Sequence, residues 1–351
     1  MPVITTQITE LFGIEHPVLL AGMNVAAGPK LAAAVTNAGG LGVIGGVRAT
    51  PKHLRRQIRD LKAGLNDPNA PFGVDLLLPQ LGGSARKTNK DYTNGGLDDL
   101  LTVIIEEGTK LFVSAVGVPP KSAVDRLHKH GILVMNMVGA VKHVHKALDV
   151  GVDIICAQGG EGGGHTGDTA TSILIPACVD AVRGKLSPLT GKQVPVIAAG
   201  GISDGRGLAA ALMWGAQAVW VGTRFVASVE AGAPPKHKEL VVTAGFGDTA
   251  RTLIYSGRPM RVRKTDYVKE WEDTRQQEIT ELCAQGIVPH DRELENKPER
   301  SLEGTKWLMG DVAAVVNEVL PAKTIIDNMV MDAKRAITQG YQDLNGGRAK
   351  L

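Results

Sequence analysis

The segment Gln158-Gly159-Gly160-Glu161-Gly162-Gly163-Gly164-His165-Thr166-Gly167-Asp168 sets one imidazole among six glycines, directly after an apolar run. Glycine lets the backbone approach a flat ligand closely and adopt positive φ. A histidine there is poorly placed to fill a core and well placed to move a proton. Neutral, its ring accepts a proton from an acidic C–H; protonated, it orients an anionic substrate. Asp168 either caps the helical stretch through Ala170 and Ile173 or orients the ring. Two more loops carry chemistry: Ala199-Gly200-Gly201-Ile202-Ser203-Asp204-Gly205-Arg206-Gly207 and Gly222-Thr223-Arg224-Phe225. Bare amides at Gly200, Gly201 and Gly222, the Thr223 hydroxyl and a following helix N-terminus make a nest for a phosphate. The run before them all ends Ala21-Gly22-Met23, where exposed backbone can lie against a planar ring.

Other candidates are weaker. His128/His130 and His143/His145 are two residues apart on predicted helices, so they diverge and cannot share a metal. Cys156 falls in a strand, where a buried inert thiol is the default. Arg258-Pro259-Met260-Arg261 offers guanidinium groups to an anionic substrate. The three cysteines show neither a CxxC pair nor metal-ligand spacing, and no metal site is expected.

These loops need a frame. Short apolar runs at 18–21, 41–44, 72–77, 111–114, 133–136, 154–157, 194–199 and 218–221 read as strands covered on both faces. Helical stretches separate them, opened by Pro51, by Pro119-Pro120 and by Asp204. Eight alternating βα units predict a closed (β/α)8 TIM barrel over residues 1–230, an α/β fold. No G-x-G-x-x-G follows the first strand, so an open dinucleotide-binding sheet is disfavoured. In such a barrel, ligands sit at the C-terminal strand ends and phosphate at the last two loops. After Phe225 the rhythm breaks. Residues 231–310 hold no convincing strand alternation but several helical stretches, including 271–285. They predict a mostly helical substrate or lid domain over the barrel mouth. Residues 311–340 regain helical spacing through Val312, Val315, Val316, Val319, Ile325, Ile326 and Met329, broken at Pro321; the segment 311–351, helices plus tail, is expected to pack back on the barrel. The polar stretch 79–96 predicts a long loop over the mouth.

Composition narrows the partners. The 351 residues carry a formal charge of +3 and only 4% aromatics, which disfavours nucleic acid and membrane surfaces. No apolar run approaches the ~18 residues of a membrane helix. The cysteine usage fits a reducing compartment, and no basic-apolar leader is expected at the N-terminus. Ala349-Lys350-Leu351 resembles the small-basic-leucine tripeptide read by the peroxisomal import receptor. The expectation is a peroxisomal protein, with a cytoplasmic one as the alternative.

Taken together, Gly22-Met23, Asn37-Ala38-Gly39-Gly40-Leu41-Gly42, the glycine-histidine loop, Ala-Gly-Gly-Ile-x-Asp-Gly-Arg and Gly-Thr-Arg-Phe resemble the nitronate monooxygenase family. The resemblance runs from about Phe12 to Phe225, then loosely to Met329. It implies FMN as cofactor, its ring on Ala21, Gly22 and Met23 and its ribityl chain near Asp75 and Gln158. Its phosphate would meet Gly200, Gly201, Gly222 and Thr223, with Gly163, Gly164 and Ala199 also among the cofactor-binding residues. His165 falls on the catalytic base. Two departures stand out. Family members often carry Asn where this chain has Asp75, and some carry Lys where it has Met137. The implied activity is oxidation of alkyl nitronates or nitroalkanes by O2 to a carbonyl compound and nitrite. The alternatives are an NAD(P)H-dependent FMN reductase of an enoyl thioester or quinone, and a catalytically silent flavin-binding barrel. A homodimer is a further expectation.

Overall fold

The computed structural model describes residues 4–344. Ala349-Lys350-Leu351 lies outside the described residues. In chain order the strands are β1 (Val18–Leu20), β2 (Gly42–Gly45), β3 (Phe72–Leu77), β4 (Leu111–Ala115), β5 (Leu133–Val138) and β6 (Ile154–Gln158). Then follow β7 (Gly164–His165), β8 (Val196–Ala199), β9 (Ala218–Val221), β10 (Thr249–Thr252) and β11 (Met260–Arg263). All but β7, β10 and β11 form one parallel sheet in the order β1-β9-β8-β6-β5-β4-β3-β2. A bridge between Leu19 and Leu41 brings the two ends together and closes the barrel. The expected (β/α)8 architecture is present, each strand within two residues of its reading.

Side chains alternate along these strands as parallel pleats require. Leu19, Val43, Val113, Met135, Ile154, Cys156, Ile197 and Trp220 fill the barrel, and the helix Gln7–Phe12 adds Ile8 and Phe12 to that cluster. The opposite set, including Leu20, Val74, Phe112, Val134, Ile155, Val196 and Val219, packs under the surrounding helices. The helix start signals act as read. Thr50 accepts from the His53 N–H at 3.2 Å ahead of Pro51–Ala63, and Asp204 from the Gly207 N–H at 3.0 Å ahead of Gly205–Met213. The long helix Ala322–Leu344 does pack back on the barrel, against Gly205–Met213. Gly205 permits this, since a Cβ there would collide with the Met329–Ala333 backbone.

Three expectations needed correction. Residues 231–310 are mostly helical, but β10 and β11 form a hairpin that continues into β7, a three-stranded antiparallel sheet. Their sequences, Thr-Ala-Arg-Thr and Met-Arg-Val-Arg, are four residues each and carry three arginines between them, so no apolar run announces them. The expected helix 271–285 is two helices, Asp266–Thr274 and Gln276–Gln285, broken at Arg275. In the C-terminal segment Val315 and Val319 are exposed, because Asp311–Val315 is only a 3-10 turn before Pro321. Among the described residues no helix is long and apolar enough to cross a membrane.

Candidate active site

The loop after β6 turns back through β7, whose Gly164 and His165 pair with Arg261 and Met260 of β11. His165 therefore stands where barrel and cap are stitched together. Its backbone carbonyl accepts from Gln158 Nε2 at 2.8 Å, a bond from the end of β6. Its ring Nε2 lies 3.0 Å from Ser256 Oγ, which comes from the cap. If the hydroxyl accepts from Nε2–H, Nδ1 is left as the base; if it donates, the proton moves to Nδ1. Burial, then Arg258 and Lys306, push the His165 pKa down to about 4. The imidazole is thus neutral at neutral pH, poised to accept a proton, with two cations nearby for the anion so formed.

Arg258 is fixed by two acceptors: Val116 O at 2.9 Å and Asn89 Oδ1 at 3.2 Å. Asn89 belongs to the 79–96 stretch, which forms a loop and meets the cap through Arg258. Val116 has φ 73°, a conformation a β-branched residue rarely adopts, and such strain persists only where the surroundings enforce it. Arg261, by contrast, binds Gly160 O at 3.0 Å and Asp311 at 2.8 Å, so it braces the glycine loop instead of meeting substrate. Asp168 neither caps a helix nor reaches the ring; it pairs with Arg251. The N–H of Thr171, first residue of the helix Thr171–Ala181, is held by Glu161 at 3.0 Å.

The residues assigned to a flat ligand do assemble. Ala21, Met23 and Gly222 adjoin, and Gly22 lies so close to Asp75 that a Cβ would collide with its carboxyl. Asp75 is buried, Oδ1 has no partner, and burial pushes its pKa well above the usual carboxylate range. Burial thus favours its protonated form, which can donate a hydrogen bond. Gln158, expected on a ribityl chain, donates its Nε2 to the His165 carbonyl. Ala199 is buried at the end of β8, and Gly163 lies against the Met309–Gly310 backbone. Gly200 (φ 94°) and Gly201 (φ 70°) form a left-handed turn only glycine adopts freely. Their N–H groups, with those of Gly222 and Thr223, have no protein acceptor among the described residues. Strands β8 and β9 are neighbours, so these donors and the Thr223 hydroxyl, which also accepts from Gly310 N at 2.9 Å, sit in adjoining loops. That donor set fits a phosphate.

Several contributors gave no signal in sequence. Ser256 lies 91 positions from His165, and Glu161, Lys306 and Arg48 sit in no recognisable pattern. His128 binds Asp153 at 2.8 Å, which accounts for it structurally. Cys156 is buried and its thiol is pushed up by burial, then by Asp75, as an inert core residue would be.

A family model for nitronate monooxygenase matches residues 5–332. The chain belongs to the nitronate monooxygenase family. It is an oxidoreductase. A probable nitronate monooxygenase of Staphylococcus saprophyticus is 27% identical, covering 96% of this chain and 99% of the relative. A relative from Mycobacterium tuberculosis is 40% identical, covering 76% of this chain and 68% of its own: (3aS,4S,5R,7aS)-5-hydroxy-7a-methyl-1-oxo-octahydro-1H-indene-4-carboxyl-CoA dehydrogenase. Among solved structures, FabK from Thermotoga maritima superposes with TM-score 0.78 at 33% identity, covering 96% and 99% of the two chains. The nitroalkane oxidase of Streptomyces ansochromogenes gives TM-score 0.79 at 25% identity, over 95% and 99%. These relatives are bacterial, and none supports the peroxisomal address.

Proposed function

We propose that the protein oxidises alkyl nitronates or nitroalkanes with O2, releasing a carbonyl compound and nitrite, with FMN as cofactor and His165 as base. The observation that carries this reading is the neutral imidazole at the barrel mouth, its pKa held near 4, with Arg258 and Lys306 beside it. Ala21, Gly22 and Met23 would support the ring, and Gly200, Gly201, Gly222 and Thr223 the phosphate; no dinucleotide fingerprint argues for anything larger. Asp75, whose protonated form burial favours, would line the edge of that site. When bound, the flavin supplies the electron acceptor. His165 takes the α-proton of a neutral nitroalkane, and the cationic pair offsets the charge of the nitronate and disfavours its return. Gln158 and Ser256 hold backbone and ring, so the base is presented in one orientation.

Replacing His165 with Asn tests the reading. Flavin released by heating should still run as FMN, in wild-type amount. Turnover of neutral nitroalkane should fall ~10²–10⁴-fold, the usual contribution of a general base. Preformed nitronate, already deprotonated, should lose far less. Equal rates for both substrate forms would remove His165 from the role.

A second reading is oxidoreduction of an acyl thioester. It is favoured by the carboxyl-CoA dehydrogenase relative and by a cation-lined pocket beside His165. Acidic α-protons of thioesters need the same neutral base. Anaerobic mixing separates the two: bleaching of the flavin by NAD(P)H, or by an acyl-CoA, supports this reading over the first.

A further inference from the structure

Asp75 lies on the inward-facing row of β3, beside Gly45 of β2 and Val113 of β4, and is 2% exposed. No hydrogen bond reaches either carboxyl oxygen among the described residues. Oδ1 is wholly shut off from the surface, and Oδ2 is turned to Gly22. The two residues pack so tightly that Gly22 could carry no side chain there. Gly22 belongs to the strand end assigned to the flavin ring, so the open side of the carboxyl faces the place where that ring would rest.

Its surroundings supply no charge. Gly22, Gly45 and Val113 cannot titrate, and burial is the influence that raises the Asp75 pKa well above the usual range; no guanidinium, ammonium or imidazole acts on it. Across the barrel Cys156 of β6 is the titratable group coupled to it, and burial, then Asp75, push that thiol up. A carboxyl with nothing to bond is costly to bury, most of all when ionised. An amide of the same shape would offer a ligand a hydrogen bond without the risk of a buried charge. What a carboxyl adds is a proton it can gain or lose, and buried carboxyls titrate as high as about pH 8–9.

We propose that Asp75 takes up a proton from solvent when the flavin is reduced, so that two electrons enter the buried site together with two protons. The inference rests on the flavin-binding part of the reading above. Above its pKa with the ring oxidised, Asp75 is a carboxylate. Two electrons from the organic substrate, with one proton, make the ring an anion. A second negative charge against Gly22 favours the protonated carboxyl at the same pH. The second proton therefore enters at Asp75, and the net charge of the site is the same before and after. When O2 removes the electrons, the carboxyl releases its proton again.

Anaerobic titration of the flavin-loaded protein with dithionite against a reference dye, from about pH 7 to 10, counts these protons. Each proton taken up on reduction lowers the reduction equilibrium constant about tenfold per pH unit. Between the two Asp75 pKa values the wild type should therefore lose about a hundredfold per unit, and Asp75→Asn, which keeps the shape and cannot ionise, about tenfold throughout. Should the variant fail to fold, the wild type carries a second readout. Its reduced-minus-oxidised infrared spectrum should gain a carboxylic C=O stretch that shifts in D2O. A one-proton slope over the whole range in the wild type overturns the proposal. So does a two-proton slope that survives in Asp75→Asn, which assigns the proton to another group. Failure of the reading beneath it looks different: a protein that retains no flavin removes both, whereas bound flavin with a one-proton slope removes the role of Asp75 alone.

Discussion

Inside the barrel Leu19, Leu41, Val43, Val113, Ile154 and Ile197 are fully buried and pack with no charge among them. The cap does the reverse. Glu293, 4% exposed, lies between Arg300 at 2.7 Å, Arg275 at 2.9 Å and Lys297 at 3.4 Å, and Arg300 continues to Glu270 at 2.6 Å. Burial alone would raise the Glu293 pKa; Arg275 and Arg300 outweigh it and bring it to about 2. The Arg275 guanidinium also stacks 3.4 Å from the centre of the Trp271 ring, which is fully buried in the cap's small apolar cluster. A core of hydrocarbon tolerates changes in pH and salt, whereas one organised by ions does not. The active-site base belongs to both, because β7 leaves the barrel and pairs with β11 of the cap. Cap and barrel therefore both position His165, the cap through Ser256 on the ring and the barrel through Gln158 on the carbonyl.

The strongest way to break this contrast is to replace Glu293 with Gln. Arg275 and Arg300 would then face each other without their buried counter-ion. Removing one partner of a buried ion network costs about 3–5 kcal/mol. Hydrogen exchange should show that loss in Asp266–Asn296 amides, while amides of β4 and β5 keep their protection. Equal loss in both regions would mean that barrel and cap unfold as one unit.

The same contrast explains what could be read in advance. Barrel strands such as 154–157 and 218–221 are uninterrupted apolar runs bounded by Gly, Pro or polar residues, and parallel strands buried on both faces look like nothing else of that length. The Gly200-Gly201 turn was legible because only glycine suits its left-handed backbone. The cap hairpin was not, since Arg261 and Arg263 alternate with Met260 and Val262 over four residues. Ser256 and Glu161 were invisible for a different reason. Their roles depend on contacts made through a sheet and a loop that no local pattern encodes. Asp75 could be placed by resemblance, but the upward push on its pKa follows from burial, which a sequence does not state.

A smaller effect comes from pH. The folded pKa of His165 is about 4, below the ordinary 6.5, so below pH 6.5 the unfolded chain takes up this proton more readily. Stability should fall as pH drops from 6.5 toward 4, by on the order of 1 kcal/mol after allowing for the ring's partial exposure. Glu293 adds a second loss between pH 4.5 and about 2, because its depressed folded pKa contributes stability only while it is ionised. Thermal unfolding followed against pH should show a smaller first loss in His165→Asn than in the wild type, since His16, His143, His237 and His290 are also lowered by burial and contribute in both, with the second loss unchanged. A first loss of equal size in both proteins would assign it to those other histidines.

The finest comparison sets the cap's grip on His165 against the barrel's. Ser256 holds the ring from the cap, and Gln158 holds the carbonyl from β6. Ser256→Ala removes one neutral hydrogen bond, worth about 0.5–1.5 kcal/mol, and so should lower kcat on neutral nitroalkane roughly two- to tenfold. Without the hydroxyl the proton is free to occupy either ring nitrogen, so the acid limb of the kcat/KM profile should shift while KM changes little. Gln158→Ala loosens the loop backbone instead and should leave that limb in place. Finding the limb moved by Gln158→Ala and untouched by Ser256→Ala would show that the barrel, not the cap, sets the tautomer of the base.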